Sequence, residues 1–543
     1  MRYAPIALAL LCALVLFTGL DCVGFTDARE ARDARVTREL LKRGEWITPL
    51  YGNDRHLEKP IFAYLPEALA MRLSRSAALR DTPVRSRQIR ALAALALVLL
   101  TAALAARHFG RRAGAWSALV LVSTLGLPLA ARTDGTQVFA TLLGWLGCAA
   151  FAEITFGPSP PRDALRLGAF VALAATLVIA GPLPALWPLG GLALYAWLAR
   201  DRTRFARVEP LAGLVLMLSF ALPWYGAMVD RQGPVFLAAA AVFPYAADPH
   251  GAWFMAPLLA LSFLVVAFHP WSALMPEAIR HAATGWRFEQ REGSVAHFLI
   301  ASLVAATVPV ALYPGAPLAS ALPALPAAAI LCGRLIDHLF DDPARLARPL
   351  ANSTRTFALI GSGAALLIAM GAHRVPEAAM DLRLLAAVSF FASWLPFLAH
   401  VRGMRRTAVA LMTVPVALGA PIASLFVVPD MEGYLNTRTV ATAMNEHAPS
   451  LAPLALIESP PPSLRLYCAR NLVVTAPSIA ALPGLRGEDG LAYIAFPPAR
   501  ESELARDLAV PLEIMVRSPS LVLARLNPDT AATSFRALRA ASR

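Results

Sequence analysis

Residues 91–134 read ALAALALVLLTAALAARHFGRRAGAWSALVLVSTLGLPLAARTD. Residues 91–106 carry no charge, Arg107, Arg111 and Arg112 follow, a second uncharged run fills 114–131, and Arg132-Thr133-Asp134 closes the stretch. A helix that crosses a bilayer needs roughly 20 predominantly apolar residues. Two runs of that order around an arginine-rich turn predict two antiparallel spans with the turn in the cytoplasm. Further uncharged runs cover 3–20, 135–152, 167–199, 210–229, 253–275, 298–333, 356–372, 384–399 and 407–429. Two are double length, and their breaks at Gly181-Pro182 and near Pro314-Gly315 predict helical hairpins. The expected fold is a polytopic α-helical membrane protein of roughly 13 spans. Composition agrees: the 543 residues are 57% hydrophobic and 16% charged, and the mean hydropathy is +0.56, unlike a soluble domain.

The net charge of +13 invites a nucleic-acid reading, but the arginines form short clusters between apolar runs, where they act as topology signals. No nucleic-acid partner is expected. Of the five cysteines, only Cys468 lies away from apolar runs, so neither a disulfide framework nor a cysteine zinc site is expected. Residues 4–25 end without a small-x-small cleavage signal and read as a retained first helix. A cytoplasmic N-terminus places the clusters around Arg107, Arg162, Arg200 and Arg402 on one side. Residues 26–90, 132–134, 230–252 and 373–381 then lie outside, together with the tail.

The chain thus divides into a membrane domain, 1–430, with a long first outer loop, 26–90, and a periplasmic domain, 431–543. The stretch 61–74 is too short for a span and reads as a helix along the membrane surface. In the tail, strand-like runs at 451–458, 464–469, 491–496, 512–516 and 521–526 mix with helical ones at 440–446 and 501–508. That pattern predicts a small α/β domain. Gly361-Ser362-Gly363 lies inside an apolar helix and reads as a packing face. His250 and His269 lack a second ligand at metal spacing and read as satisfied polar groups.

The first outer loop carries the chemistry. Residues 26–60 read TDAREARDARVTRELLKRGEWITPLYGNDRHLEKP. Residues 27–42 predict a helix ended by Gly44, with Asp27, Glu30 and Asp33 recurring every third residue. Two readings stand: the carboxylates supply a general base or hold a divalent cation, or Asp27 and Glu30 form a capping box and Asp33 pairs with Arg29. Of the 49 lysines and arginines only two are lysines, Lys42 and Lys59. In a chain so biased toward arginine, the lysine of Glu58-Lys59-Pro60 suggests a need for a compact ammonium, as against a phosphate.

The pattern E-A-R-x-A-x-x-x-R-E-L-L-x-x-G-x-W-x-T-P-L-x-G followed by L-E-K-P resembles the first periplasmic loop of the bacterial aminoarabinose-lipid A transferase family. That family belongs to the protein-mannosyltransferase-like membrane glycosyltransferases of the GT-C fold. Arg132-Thr133-Asp134, Pro223-Trp224-Tyr225 and Pro270-Trp271 are similar to later family motifs. The departures are specific. Arg29 stands where the family motif begins with Asp, and Ala180-Gly181-Pro182 replaces Lys-Gly-Pro. Ala316-Pro317-Leu318-Ala319-Ser320 falls where Lys-Leu-Pro-x-Tyr is usual.

The resemblance implies an inner-membrane glycosyltransferase that moves a sugar from a polyprenyl-phosphate carrier to lipid A or another envelope acceptor on the periplasmic side. Glu30, with Asp27, would be the catalytic carboxylates. Lys59, Arg29 and Arg132 would bind the donor phosphate. Glu58 would orient Lys59, and Asp134 would hold the acceptor or a metal. The resemblance fixes no cofactor, and a divalent metal ion is the candidate that the acidic residues suggest. The alternative is a protein that binds or transports a lipid-linked sugar without transferring it.

Overall fold

The computed structural model describes residues 4–26, 29–74, 82–158, 163–241, 256–284, 291–312, 318–341, 347–449, 452–456, 461–468, 473–475, 489, 491–508 and 512–526. Among them nine helices are long and apolar enough to cross a bilayer. The number becomes eleven if the bent pairs Arg111–Val122 with Gly126–Thr133 and Pro257–Ala267 with Trp271–Ala283 each count as one span. Every predicted run has a helix in its place. The number falls short of the expected one because Ala4–Phe17 and Pro182–Leu198 have only 14 and 17 residues.

Gly181 ends the Asp163–Ala180 helix with φ of 90°, and Pro182 opens the next, so the first predicted hairpin break is real. The break expected near Pro314-Gly315 lies outside the described residues. Leu318–Asp341 is the central span, 94% buried along its apolar window. Arg348–Arg374, Pro376–Val401 and Arg405–Asp430 are 28%, 28% and 22% buried and form the periphery. Small residues let the central helix approach its neighbours: Gly333 lies directly against Ser117, and Gly126 against Ala267 and Leu325.

The segments that charge counting puts outside meet one another. Arg29 pairs with Asp134, Arg231 with Glu45, and the Tyr434 hydroxyl donates to Glu377 at 2.6 Å. At the opposite end Arg107 pairs with Glu153, Arg112 with Asp337 and Asp341, and Arg166 with Glu209.

The outer loop is tied down by a buried ionic knot. The Arg29–Arg43 helix turns Glu30, Asp33, Val36, Thr37 and Leu40 inward, the three-and-four spacing of one helix face. Gly44 caps it at φ 67°, its N–H bonding the Leu40 carbonyl. Glu30 is 1% exposed. It accepts from Arg87 Nε at 3.0 Å and Nη2 at 2.6 Å, and from Arg90 Nη1 at 3.1 Å. Arg87 also donates to the carbonyls of Leu20, Val23 and Gly24, so it gathers the exit of the first helix. Arg90 reaches Glu67 as well, and Glu67 accepts from Ser86 at 2.8 Å. Burial pushes the Glu30 carboxyl up, but the two guanidinium groups outweigh it and hold the pKa below the ordinary value.

The two-residue strands β1 (Leu50–Tyr51) and β2 (Asp54–Arg55) form a hairpin in the loop. The tail builds a five-stranded mixed sheet from β3 (Leu454–Leu456), β4 (Val473–Thr475), β5 (Ala492–Phe496), β6 (Glu513–Arg517) and β7 (Val522–Leu526), in the order β4-β3-β5-β7-β6. Residues alternate between faces: Leu454, Leu456, Tyr493, Ala495 and Leu523 meet the Arg438–His447 helix, while Ala455, Ile494, Phe496 and Val522 meet Leu504. The strand expected at 464–469 is instead the Pro462–Tyr467 helix, opened by proline in its first turn. β4 is a strand that the sequence reading lacks. The short helix docks on the loop: Tyr467 accepts from the Phe25 N–H at 2.7 Å, and Arg35 and Arg38 donate to the carbonyls of Arg465 and Leu466.

Two stability predictions follow from this packing. A methyl at Gly361 would sit 2.3 Å from Ser393 Cβ, whereas one at Gly363 meets nothing within 4 Å. Gly361→Ala is expected to lose about 1–3 kcal/mol by overpacking, and Gly363→Ala to lose nothing, as read from melting in detergent. Among the described residues, Glu30→Ala leaves Arg87 with only backbone carbonyls and Arg90 with only Glu67 and the Arg132 carbonyl, and is expected to destabilise by about 3–5 kcal/mol. Because the folded pKa of Glu30 is depressed, its contribution is complete above the unfolded value of 4.5 and is lost as the pH falls through the lower folded value. Melting of the wild type between pH 7 and pH 3 should therefore show a larger acid-side loss than Glu30→Gln does.

Candidate active site

The loop helix, the 58–64 segment, the start of Val84–Phe109 and the 132–136 turn converge on one patch at the outer end of the bundle. Lys59 lies at its centre, 3% exposed, with Nζ 2.6 Å from Asp33 Oδ2. Pro60 follows and opens the Ile61–Tyr64 turn, fixing the backbone around Lys59. A nearly dry ion pair is tolerated only with good geometry, since desolvation opposes it. The carboxylate that holds Lys59 is therefore Asp33. Glu58, expected to orient Lys59, instead points toward solvent, pairs with Arg32 at 2.6 Å and lies 3.9 Å from His56 Nε2.

The remaining predicted residues divide by what their polar atoms already do. Glu30 is in the knot, with both oxygens engaged by arginines and almost no exposure, which is not the setting of a general base. Asp27 lies outside the described residues. Arg132 donates to the carbonyls of Pro128, Val15 and Thr18, clamping the end of the first helix rather than presenting a free guanidinium to a phosphate. Asp134 is 4% exposed. Its Oδ1 caps the Gly135–Phe156 helix through the Gln137 N–H, and its Oδ2 lies 3.4 Å from Arg29 Nη1. Arg29, at the position where an acid was expected, is thus the counter-ion of the second acidic motif.

Groups that the sequence reading left aside complete the patch. The Tyr64 hydroxyl is buried with no hydrogen-bond partner among the described residues. Burial and the charges of Asp33 and Glu58 raise its pKa well above the ordinary value. Burial keeps His56 below its ordinary pKa despite Glu58 and Asp33. Asp33, Glu67, Ser86, Arg90, Thr136 and Phe139 line a narrow crevice of about 10 Å³. The signal for the arginine pair was present in the sequence. Arg85, Arg87 and Arg90 precede a span at the end that charge counting assigns to the outside, where arginine reads as a counter-ion rather than a topology signal.

A divalent cation fits this donor set poorly. Glu30, Asp33, Glu58, Glu67 and Asp134 are each already opposed by an arginine or lysine, so a metal would have to displace those cations. No group of three or more potential metal ligands occurs among the described residues. Pro223-Trp224-Tyr225 supports the loop from below: Trp224 Nε1 donates to the Ile47 carbonyl, and its ring packs on Phe62 and Phe236. Trp271 lies in the bundle core and donates to Ser123 Oγ at 2.9 Å. Ala180 ends a helix at the hairpin break, and Leu318, Ala319 and Ser320 begin a 3-10 turn. Ala316 and Pro317 lie outside the described residues.

No family model matches the chain. It is 25% identical over 289 residues to an undecaprenyl phosphate-alpha-4-amino-4-deoxy-L-arabinose arabinosyl transferase of Pectobacterium carotovorum subsp. carotovorum. That match covers 50% of this chain and 48% of the relative. The protein of the same name from Shewanella sediminis is 26% identical over 275 residues, covering 48% and 47%. The chain thus aligns with about half the length of each relative. A crystal structure of ArnT from Cupriavidus metallidurans bound to undecaprenyl phosphate superposes with a TM-score of 0.77 over 96% of this chain and 97% of that one, at 19% identity. The archaeal oligosaccharyltransferase AglB of Archaeoglobus fulgidus, in complex with an inhibitory peptide and a dolichol-phosphate, gives 0.55 over 92% and 69% at 12% identity. The chain therefore has the GT-C fold of these membrane glycosyltransferases, the fold toward which the motif of its first outer loop points.

Proposed function

We propose that this chain transfers a sugar from a polyprenyl-phosphate carrier to a lipid acceptor, with lipid A the first to test, at the periplasmic face of a bacterial inner membrane. The observation that carries this reading is Lys59, a buried ammonium held at the outer end of a bundle whose fold ArnT uses to bind undecaprenyl phosphate. The names of the relatives make 4-amino-4-deoxy-L-arabinose the first sugar to try. The N-terminus is cytoplasmic and the tail domain periplasmic in this reading, since the arginine clusters lie at the end opposite Lys59.

An acceptor oxygen attacks the anomeric carbon, and the polyprenyl phosphate leaves. Charge builds on the leaving phosphate, and Lys59 supplies fixed positive charge where that happens. Arg29, 28% exposed at its side chain, adds a second cation at the edge, tempered by Asp134. A phosphate leaves readily, so holding acceptor and donor in line carries much of the rate. Glu30 serves by fixing the loop helix from which Asp33 reaches Lys59.

Deleting the gene and complementing it with wild type or Lys59→Ala tests the reading by mass spectrometry of polyprenyl phosphates and envelope glycolipids. Deletion should remove a sugar-bearing glycolipid and accumulate its polyprenyl-linked donor. Lys59→Ala should slow transfer about 10²- to 10³-fold, as losing a transition-state charge partner does. An unchanged lipid profile on deletion refutes the proposal. Purified protein that retains carrier but yields no glycosylated lipid favours binding or transport instead.

A further inference from the structure

We propose that Asp33 is the proton-accepting carboxylate of the transfer, held idle by Lys59 until the donor phosphate takes over that ammonium. The proposal rests on the transferase reading above. Its starting point is the way the buried acids of the patch are partnered. Glu30 is locked by Arg87 and Arg90, Glu67 by Arg90, and Asp134 by Arg29 and the start of a helix. Glu58 pairs with Arg32 on the surface. Among the described acids of the patch Asp33 alone is held by a lysine, through one oxygen at 2.6 Å. Guanidinium groups bind carboxylates through a rigid two-pronged fork, whereas an ammonium on a flexible stem can exchange one anion for another.

The position suits a base. Asp33 is 8% exposed and lines the narrow crevice beside Ser86, Arg90 and Thr136. The Tyr64 hydroxyl, without a partner among the described residues, lies within its field. In the resting site the Lys59 ammonium occupies the Asp33 carboxylate. When the carrier phosphate draws Lys59 toward itself, the Asp33 oxygen that the ammonium occupied is left open to an acceptor hydroxyl. The carboxylate is thus released only when donor is bound.

The step balances. The acceptor oxygen forms its bond to the anomeric carbon as the bond from that carbon to the phosphate oxygen breaks. The acceptor proton passes to the Asp33 carboxylate, and the electron pair of the broken bond leaves with the polyprenyl phosphate. Lys59 then faces that phosphate, now carrying one more negative charge, and opposes a protonated, neutral Asp33. Release of the carrier and loss of the proton to water restore the ion pair.

Full-length protein in lipid vesicles, probed with undecaprenyl phosphate alone, separates binding from transfer. The same variants in cells lacking the gene report transfer by glycolipid mass spectrometry. Asp33→Asn frees Lys59 from its competitor, so carrier affinity should hold or tighten, while transfer falls about 10²- to 10⁴-fold, the range for losing a general base. Asp33→Glu keeps the charge pair and the fold but moves the carboxylate, and should retain carrier affinity with a smaller loss of transfer. If Asp33 only braces the loop, Asp33→Asn weakens carrier binding in step with transfer, and that result overturns the proposal. Transfer within threefold of wild type in Asp33→Asn overturns it while leaving the transferase reading intact. A wild type that neither binds undecaprenyl phosphate nor makes glycolipid removes both.

Discussion

The contact between Glu30 and the arginine pair 87 and 90 sets the geometry on which the outer half of the molecule depends. The loop helix is polar on most of its surface, and apolar burial alone would hold it weakly against the bundle. Glu30 gives it a fixed point. Arg87 extends that point to three carbonyls at the exit of the first helix, and Arg90 extends it to Glu67. Once Glu30 is fixed, helical geometry dictates that the residue three positions on faces the same way. That residue is Asp33, so the knot fixes the direction from which Lys59 is approached.

A buried charge pair of this kind is weak evidence for stability, because desolvation offsets much of the attraction. What it gives is specificity of register. The tail adds to the same constraint, since Arg35 and Arg38 of the loop helix bond carbonyls of the Pro462–Tyr467 helix and Tyr467 accepts from Phe25. The inner face of the helix is thus tied by ions and its outer face by backbone carbonyls. The patch lies between two bodies that are far apart in sequence.

How much of this could be read from the chain follows from the range of the interactions. The spans were legible because hydropathy is a local property, and the Gly181-Pro182 break because both residues have strong local conformational preferences. β5, β6 and β7 were legible as short strand-like runs of aliphatic and aromatic residues. The Pro462–Tyr467 helix was misread because Leu464, Leu466 and Cys468 alternate as in a strand, and the preceding prolines outweigh that pattern. Partner choice was not legible. Glu30 meets a residue 57 positions away and Asp33 one 26 positions away, and nothing local distinguishes Asp33 from Glu58 as the holder of Lys59. The lysine itself did stand out, through the rarity of lysine in an arginine-rich chain.

Arg29 is the departure with the widest chemical reach. Two facing carboxylates at positions 29 and 134 would repel each other, and one relief for such a pair is a shared divalent cation. An arginine at 29 relieves the repulsion directly, and it does so beside a helix N-terminus that already favours the Asp134 carboxylate. The edge of the patch then carries a net neutral pair in place of two negative charges. A phosphate approaching Lys59 meets less repulsion there than two acids would present. Positive charge for the leaving group thus comes from side chains already fixed by the fold, and the loss of the acid at 29 is compatible with transfer as long as another carboxylate can take the acceptor proton. Among the acids of this patch, Asp33 has the counter-ion that a phosphate is best able to displace.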